Sequence, residues 1–580
     1  MTTVKHSKNP ASPSTPQATL RALNSVVEAH LDPIGMTVPL VHAQLAWLSH
    51  PQEFGEALTE LSMKLWDLQA HSWNRAMGLP SEDVEKPHPD DTRFSDPVWT
   101  DSASWDIVKE WYLTLTHHVQ NMIYDTPGLS SKERRKAAFW WRKWLNAVAP
   151  TNFLATNPVA QRLAMDSKGE SLVRGMRNFL QDLEAGTVRM TNPDDFTVGK
   201  NLATTPGKVV FRNRLLEVIH YSPTQPKVHA VPVVVVTPWI NKFYVLDLNP
   251  KKSMVKFLID QGLDVYITSW KNPTEEHRDA TFDDYVVEGI GVIVDVAMKL
   301  SGADKVNAVG YCIGGAALAT YVAWANRRFG AEDSPVASAT FLTTMVDYQH
   351  PGDIEVFLDE SSVAWLKRAM EEKGFLSGQQ MAGAFRLLRS NSLVWHYVVH
   401  GYLYGESPMP FDVLYWNMDT TRMPAAMHGW YLQQFYVENN LIKPDALTVA
   451  EEPISLERIV QPVYVVTAED DHIAPWRQAF KLVNAVDGDK RFVLSSSGHI
   501  LGIVNPVVHP PKREYWVGKA QRHDTFDVWK KRADHRQGSW WEDWMKWIKP
   551  LSGELKEPPP VISEAFPALG DAPGSYVLER

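Results

Sequence analysis

KVNAVGYCIGG, residues 305–315, is the stretch on which the reading of this chain turns. A short run with β-branched residues leads into Gly310-Tyr311-Cys312-Ile313-Gly314-Gly315, and an alanine-rich stretch follows. Small residues on either side of the cysteine permit a sharp strand-to-helix turn, which pushes the cysteine side chain out at the carboxyl edge of a sheet. The helix N-terminus that follows supplies backbone N–H groups and a positive dipole end, which lower a thiol pKa and can hold an oxyanion. The pattern predicts Cys312 as a nucleophile and the N–H of Ile313 as one oxyanion donor. A second donor is expected from the loop after an earlier strand, around Trp239 and Ile240, with the Ile240 N–H as the candidate.

Outward from this turn, strand-like and helix-like stretches alternate. They are KVVFRNRLLEVIHYSP (208–223), VHAVPVVVVTPWI (228–240), DVYITSW (264–270), a helix from about Tyr285 to Leu300, the turn itself, and SATFLTTMVDY (338–348). Such alternation predicts a parallel sheet with helices on both faces. Between about Gln349 and Asn440 the rhythm breaks and aromatic residues crowd together, as in MPFDVLYWNMDTTRMPAAMHGWYLQQFYVENN (409–440). An insertion there is expected to cover the sheet as a cap, its rings read first as core packing. PVYVVTAEDDHIAPW (462–476) and KRFVLSSSGHILG (490–502) restore the strand-then-loop rhythm, and a Trp-rich helix, GSWWEDWMKWIKP (538–550), precedes a Pro-rich tail.

An elbow cysteine followed by an acid and then a histidine, each in a loop beyond a strand, is the order of an α/β-hydrolase fold. His499 is the expected base, and Asp471 the acid that orients and charges its imidazole. Glu469 and Asp470 are alternatives for the acid that read better as solvated loop charges, Asp347 at the end of an earlier strand is a rival position for it, and His472 is read as a structural residue pointing elsewhere.

The remainder bounds the answer. From about Leu20 to Leu183 apolar residues recur at helical spacing, as in EFGEALTELSMKLWDLQAHSW (53–73) and SKERRKAAFWWRKWLNAVA (131–149). The expected division is a mobile tail over 1–20, a helical N-terminal domain over 21–200 and an α/β-hydrolase domain over 201–580, with its cap at about 349–440. A net charge of −10 gives no basic footprint for nucleic acid. One cysteine forms no internal disulfide and no thiolate metal site, which leaves a buried structural residue or a reactive thiol, and a reducing cytoplasm suits both. The start lacks the apolar core of a secretory signal, no long apolar run occurs, and neither export nor a transmembrane segment is expected.

A thiolate exchanges readily with a thioester, because the attacking and leaving sulfurs have similar basicity. The acyl-enzyme thioester stays activated, so a hydroxyl can take the acyl group and form an ester. The chain resembles the polyhydroxyalkanoate synthases, and within them the class I enzymes. The resemblance runs from about Asn152 to the C-terminal tail. It rests on NFLATNP (152–158), GESLVRGMRNFLQDL (169–183), PWINKFYVLDLNP (238–250), SWKNP (269–273), GYCIGG (310–315), LTTMVDY (342–348) and LVWHYVVHGYL (393–403). It continues through PFDVLYWNMDTTRMP (410–424), EDDHIAPW (469–476), SGHILGIVNP (497–506) and GSWWEDW (538–544). Class I members often carry NDLVWNYVV where this chain has NSLVWHYVV (391–399).

The resemblance implies that Cys312, Asp471 and His499 are the catalytic cysteine, aspartate and histidine, the aspartate directly before HIAPW being Asp471. It implies an acyltransferase that polymerises (R)-3-hydroxyacyl-CoA, 3-hydroxybutyryl-CoA foremost, into polyhydroxyalkanoate polyester with release of CoA. No metal or separate cofactor is expected, since CoA is part of the substrate. A homodimer is implied, attached in the cytoplasm to polyester granules and their associated proteins. The alternative on the same triad is a cysteine α/β-hydrolase, either a thioesterase or an intracellular polyester depolymerase.

Overall fold

The computed structural model describes residue 32, residues 35–89 and residues 91–580, so the tail expected over 1–20 lies outside the described residues. The first long elements are helices: α1 (Val38–Ser49), α2 (Pro51–Ala76), α3 (Ala103–Tyr124), α4 (Ser131–Ala147), α5 (Pro158–Asp166) and α6 (Glu170–Ala185). Their starts are written locally. Pro51 occupies the first turn of α2, where its missing N–H costs nothing. Ser130 and Glu133 close a capping box on α4, each satisfying the other's backbone N–H.

An eleven-stranded sheet follows. Its strands are β1 (Gly207–Arg212), β2 (Leu216–Tyr221), β3 (Val233–Val236), β4 (Val265–Trp270), β5 (Val306–Tyr311), β6 (Val336–Leu342), β7 (Val463–Ala468), β8 (Lys490–Ser495), β9 (Glu514–Ala520), β10 (Asp534–Gln537) and β11 (Gly570–Asp571). The spatial order is β10-β9-β8-β7-β6-β5-β3-β4-β2-β1-β11. The six strands from β8 to β4 run parallel, in register Val463↔Lys490, Val463↔Ala339, Asn307↔Ser338, Val233↔Asn307 and Val233↔Val265. The strands outside them pair antiparallel. The sheet is therefore mixed rather than parallel throughout. The reason is the connection: Asn213 to Leu215 join β1 to β2, and so short a link closes a hairpin but cannot make a crossover.

Side chains alternate across the central strands. Val234, Val236 and Ala308 pack into one core, and Val233, Val235, Val309 and Tyr311 into the core on the other face. Helix α7 (Ile313–Phe329) leaves β5 at the elbow and buries its Ala-rich face. β6 ends at Leu342, earlier than the sequence suggested, where Thr343 turns out of the extended conformation at φ 41° while its N–H still reaches Val466 O of β7 at 2.7 Å.

Between β6 and β7 the chain leaves the sheet and carries α8 (Glu360–Lys373) and α9 (Gly378–Leu388) over its carboxyl edge. α4 ties into this region through Arg135–Glu355 at 2.9 Å, the Lys136–Asp359 ion pair, and Phe139 and Trp140 against the Phe357 ring. Near the C-terminus α10 (Trp540–Ile548) buries Trp540, Trp541 and Trp544 under the sheet. Among the described residues no helix is long and apolar enough to cross a membrane.

Candidate active site

β5 delivers Cys312 at φ 54° and ψ −122°, a left-handed backbone that a non-glycine residue adopts only when its surroundings impose it. Two contacts impose it here. A Cβ on Gly310 would lie 2.5 Å from the Gly315 Cα, and a Cβ on Gly314 would lie 2.6 Å from both the Val236 and Thr237 carbonyl oxygens. Strand, turn and helix thus meet backbone to backbone, and the Cys312 N–H is held by Leu342 O at 2.9 Å.

The loops beyond β7 and β8 bring the acid and the base. They are stitched together by Glu469 N–H to Ser495 O at 2.8 Å and Asp470 N–H to Ser497 O at 3.0 Å. Asp471 and His499 are buried, with Nδ1 of His499 2.6 Å from Oδ2 of Asp471. The other carboxylate oxygen, Oδ1, accepts the N–H groups of Ile473 and Ala474 at 2.9 and 2.8 Å. Asp471 therefore has both oxygens committed, one to its loop and one to the imidazole. His499 and Cys312 line the same cavity, close enough for the sulfur to act on the charge of the imidazole. Burial alone would push its imidazole toward the neutral form, but the negative charges of Asp471 and Cys312 outweigh this and raise its pKa above the ordinary value.

The other candidate acids are placed differently. Asp347 Oδ1 accepts Gln349 N–H and the Asn439 amide, each at 2.9 Å, and so fixes the cap; Glu469 and Asp470 are exposed. Ile313 opens α7 directly after Cys312, so its N–H has no acceptor within the helix. Ile240 lines the same cavity as Cys312. Its loop is held by the Thr421 hydroxyl, which donates to Trp239 O at 2.8 Å and also contacts Ile240 O.

The cavity over Cys312 has a volume of about 330 Å³. Thr343, Met345 and Ile473 line it from the sheet side, and Met381, Phe385 and Leu393 from the cap. Two expectations change here. His472 faces this cavity rather than away from it, and burial followed by the charge of Arg389 depresses its pKa to about 4, which keeps it neutral. The aromatic stretch after residue 408 is not core alone: Trp416, Tyr431 and Tyr436 line the cavity, and Tyr348 joins them.

Further residues carry the site without having been legible as functional. Tyr311 stacks on the His499 ring with centroids 5.6 Å apart and donates its hydroxyl to His499 O at 3.1 Å. The indoles of Trp540 and Trp541 donate to Gly502 O at 2.9 Å and Ile503 O at 3.0 Å, which pins the histidine loop from below. The Trp-rich motif was the available signal, but nothing in it names the loop it holds.

Elsewhere, Asp83, Asp106 and Glu110 approach within 4.8 Å of one another as a possible metal group. Lys109 already stands among them, at 3.7, 2.9 and 3.4 Å, and supplies the compensating charge.

Comparison with known proteins adds the family context. Residues 90–258 match the family described as poly-beta-hydroxybutyrate polymerase (PhaC) N-terminus, and residues 232–506 match the alpha/beta hydrolase fold. The poly(3-hydroxyalkanoate) polymerase of Methylorubrum extorquens is 40% identical over 550 residues, covering 93% of this chain and 89% of the relative. The poly(3-hydroxyalkanoate) polymerase subunit PhaC of Rhizobium meliloti (strain 1021) is 39% identical, covering 92% and 87%. The subunit of the same name from Cupriavidus necator is 38% identical, covering 84% and 83%.

Proposed function

The chain belongs to the poly(3-hydroxyalkanoate) polymerase family, and from that premise we propose that it polymerises (R)-3-hydroxyacyl units, 3-hydroxybutyryl foremost, from their CoA thioesters through a covalent thioester on Cys312. The observation that carries this reading is the Cys312–His499–Asp471 line at the floor of a largely apolar, cap-covered cavity. A cavity of about 330 Å³ is at the small end for ligand sites, which suits a short acyl group.

In the first half-reaction the Cys312 sulfur attacks the thioester carbonyl. The oxyanion is received by the N–H groups of Ile313 and Ile240, the C–S bond to CoA breaks, and His499 gives its proton to the leaving thiolate. In the second, the 3-hydroxyl of another unit gives its proton to His499 and attacks the acyl-Cys312 carbonyl. An ester bond forms, the bond to Cys312 breaks, and the charge returning to sulfur restores the starting pair. Asp471 holds the imidazole in the orientation both steps need. No cofactor enters the scheme. On the same reading the enzyme is a homodimer at the surface of cytoplasmic polyester granules.

The test is incubation with (R)-3-hydroxybutyryl-CoA, following free thiol and insoluble product together. Thiol release with insoluble polyester supports the proposal, and Cys312→Ala abolishes both. Thiol release with only soluble 3-hydroxy acid points to the cysteine hydrolase instead.

A further inference from the structure

A second cavity, about 1110 Å³, lies between the N-terminal helices and the cap, and it shares a wall with the catalytic one. Residues 388–392 line it, while Phe385, Arg386 and Leu393 of the same segment line the cavity over Cys312. Asp353 faces the cleft and its neighbour Ile354 the catalytic cavity. α4 closes the other side, with Lys143 Nζ donating to Leu388 O at 3.0 Å.

The charges of this cleft do not balance. Asp91 is committed to Arg93 at 2.7 Å and Asp96 to Arg162 at 2.6 Å. That leaves Arg142, Lys143 and Arg389 against Asp353, and among the described residues no carboxylate within ion-pair distance engages either arginine. The cations crowd one another: burial, then Arg142, and after the opposing Asp353 also Arg389, bring the Lys143 ammonium down to about 7. Three cations facing the single carboxylate of Asp353 leave an excess of positive charge, which is destabilising unless an anion joins it. An independent observation points the same way. Ser390, 5% exposed, lines the cleft with its hydroxyl lacking a hydrogen-bond partner, and the amide oxygen of Asn391 beside it also lacks one. Trp395 on the same wall offers a ring on which a base can stack.

We propose that this cleft binds the phosphorylated nucleotide half of the acyl-CoA donor, Arg142 and Lys143 of α4 and Arg389 of the cap gripping its phosphates while the pantetheine arm passes the 385–393 wall to Cys312. This rests on the acyl-CoA reading above. It gives the N-terminal helices a direct part in donor recognition, since two of the three cations are theirs. Guanidinium and ammonium groups suit the site because both form charge-assisted hydrogen bonds to phosphate oxygens.

The test compares two donors in the full-length protein: (R)-3-hydroxybutyryl-CoA and the phosphate-free N-acetylcysteamine thioester of the same acid. Arg142→Glu and Lys143→Met, the latter keeping the stem over the Phe139 ring, are expected to raise KM for the CoA thioester roughly tenfold or more, with kcat little changed. With the phosphate-free thioester KM should stay that of the wild type. Calorimetry with adenosine 3′,5′-bisphosphate should show binding to the wild type and its loss in Arg142→Glu. An unchanged KM for the CoA thioester, or an equal rise for both donors, overturns the proposal. If the wild type releases no thiol from either donor, the functional reading fails, and calorimetry alone then decides whether the cleft is a nucleotide site.

Discussion

Tyr311 reaches the base in two ways, by its ring against the imidazole and by its hydroxyl on the His499 carbonyl, and only the second can be removed without leaving a hole. Tyr311→Phe is expected to lower kcat about fivefold with KM nearly constant, the size of one net hydrogen bond lost in a buried setting. A matched fall in melting temperature with no kinetic effect would assign the hydroxyl to stability alone. The protonation of His499 carries a second prediction. Its folded-state pKa is raised from 6.5 to about 10, because Asp471 and Cys312 outweigh burial. Its stabilising contribution is therefore complete below 6.5 and lost as pH rises toward 10. Thermal denaturation of the wild type should show stability declining over that window, and Asp471→Asn should flatten the decline. At this scale Cys312 and His499 were legible because a strand-to-helix turn and a strand-end loop leave local signatures. Asp471 was separable from Asp470 only by resemblance, since adjacent loop residues have no periodicity to fix their directions; His472 was misread for the same reason.

The elbow and the oxyanion loop show how elements constrain one another through single atoms. A Cβ at Gly314 would meet the carbonyl oxygens of Val236, the last residue of β3, and of Thr237 just after it, so a methyl group there must push apart the turn and the strand. Gly314→Ala is expected to cost about 1–3 kcal/mol of stability and most of the activity, measured by denaturant unfolding and thiol release. Thr421 acts in the opposite sense, by pulling. A trans peptide sets its C=O and N–H on opposite sides, so a hydroxyl gripping Trp239 O fixes the direction of the Ile240 N–H. Thr421→Val should lower kcat about tenfold and leave KM for the CoA thioester unchanged, whereas a rise in KM alone would place Thr421 in substrate binding. The strands and the helix after Cys312 could be read from β-branched runs and alanine content. The antiparallel flanks could not, because pairing direction depends on connection length and on partners distant in sequence, such as β11 arriving beside β1. The hold of Thr421 on the oxyanion loop joins positions 181 and 182 residues apart, and local pattern carries no trace of it.

Across the whole molecule the N-terminal helices, the cap and the catalytic sheet form one chain of contacts. α4 touches the cap through two ion pairs and the Phe139–Trp140–Phe357 ring cluster, and the cap in turn forms the roof over Cys312. Helical spacing in the sequence made the N-terminal helices legible, but the partner of their apolar face was not, since amphipathicity marks a buried side without naming what buries it. The Arg135 pair is partly open to solvent and contributes less than the buried ring cluster. Phe139 is buried against Phe357 with ring centroids 5.6 Å apart. Phe139→Ala should cost about 3 kcal/mol at the joint while leaving the sheet intact. Hydrogen exchange would then quicken over residues 353–395, with β5 to β8 remaining protected. Polymer synthesis should fall with it, because the roof of the catalytic cavity and the wall it shares with the second cleft belong to the loosened segment. Uniform loss of protection across the sheet would instead make α4 part of a single cooperative core.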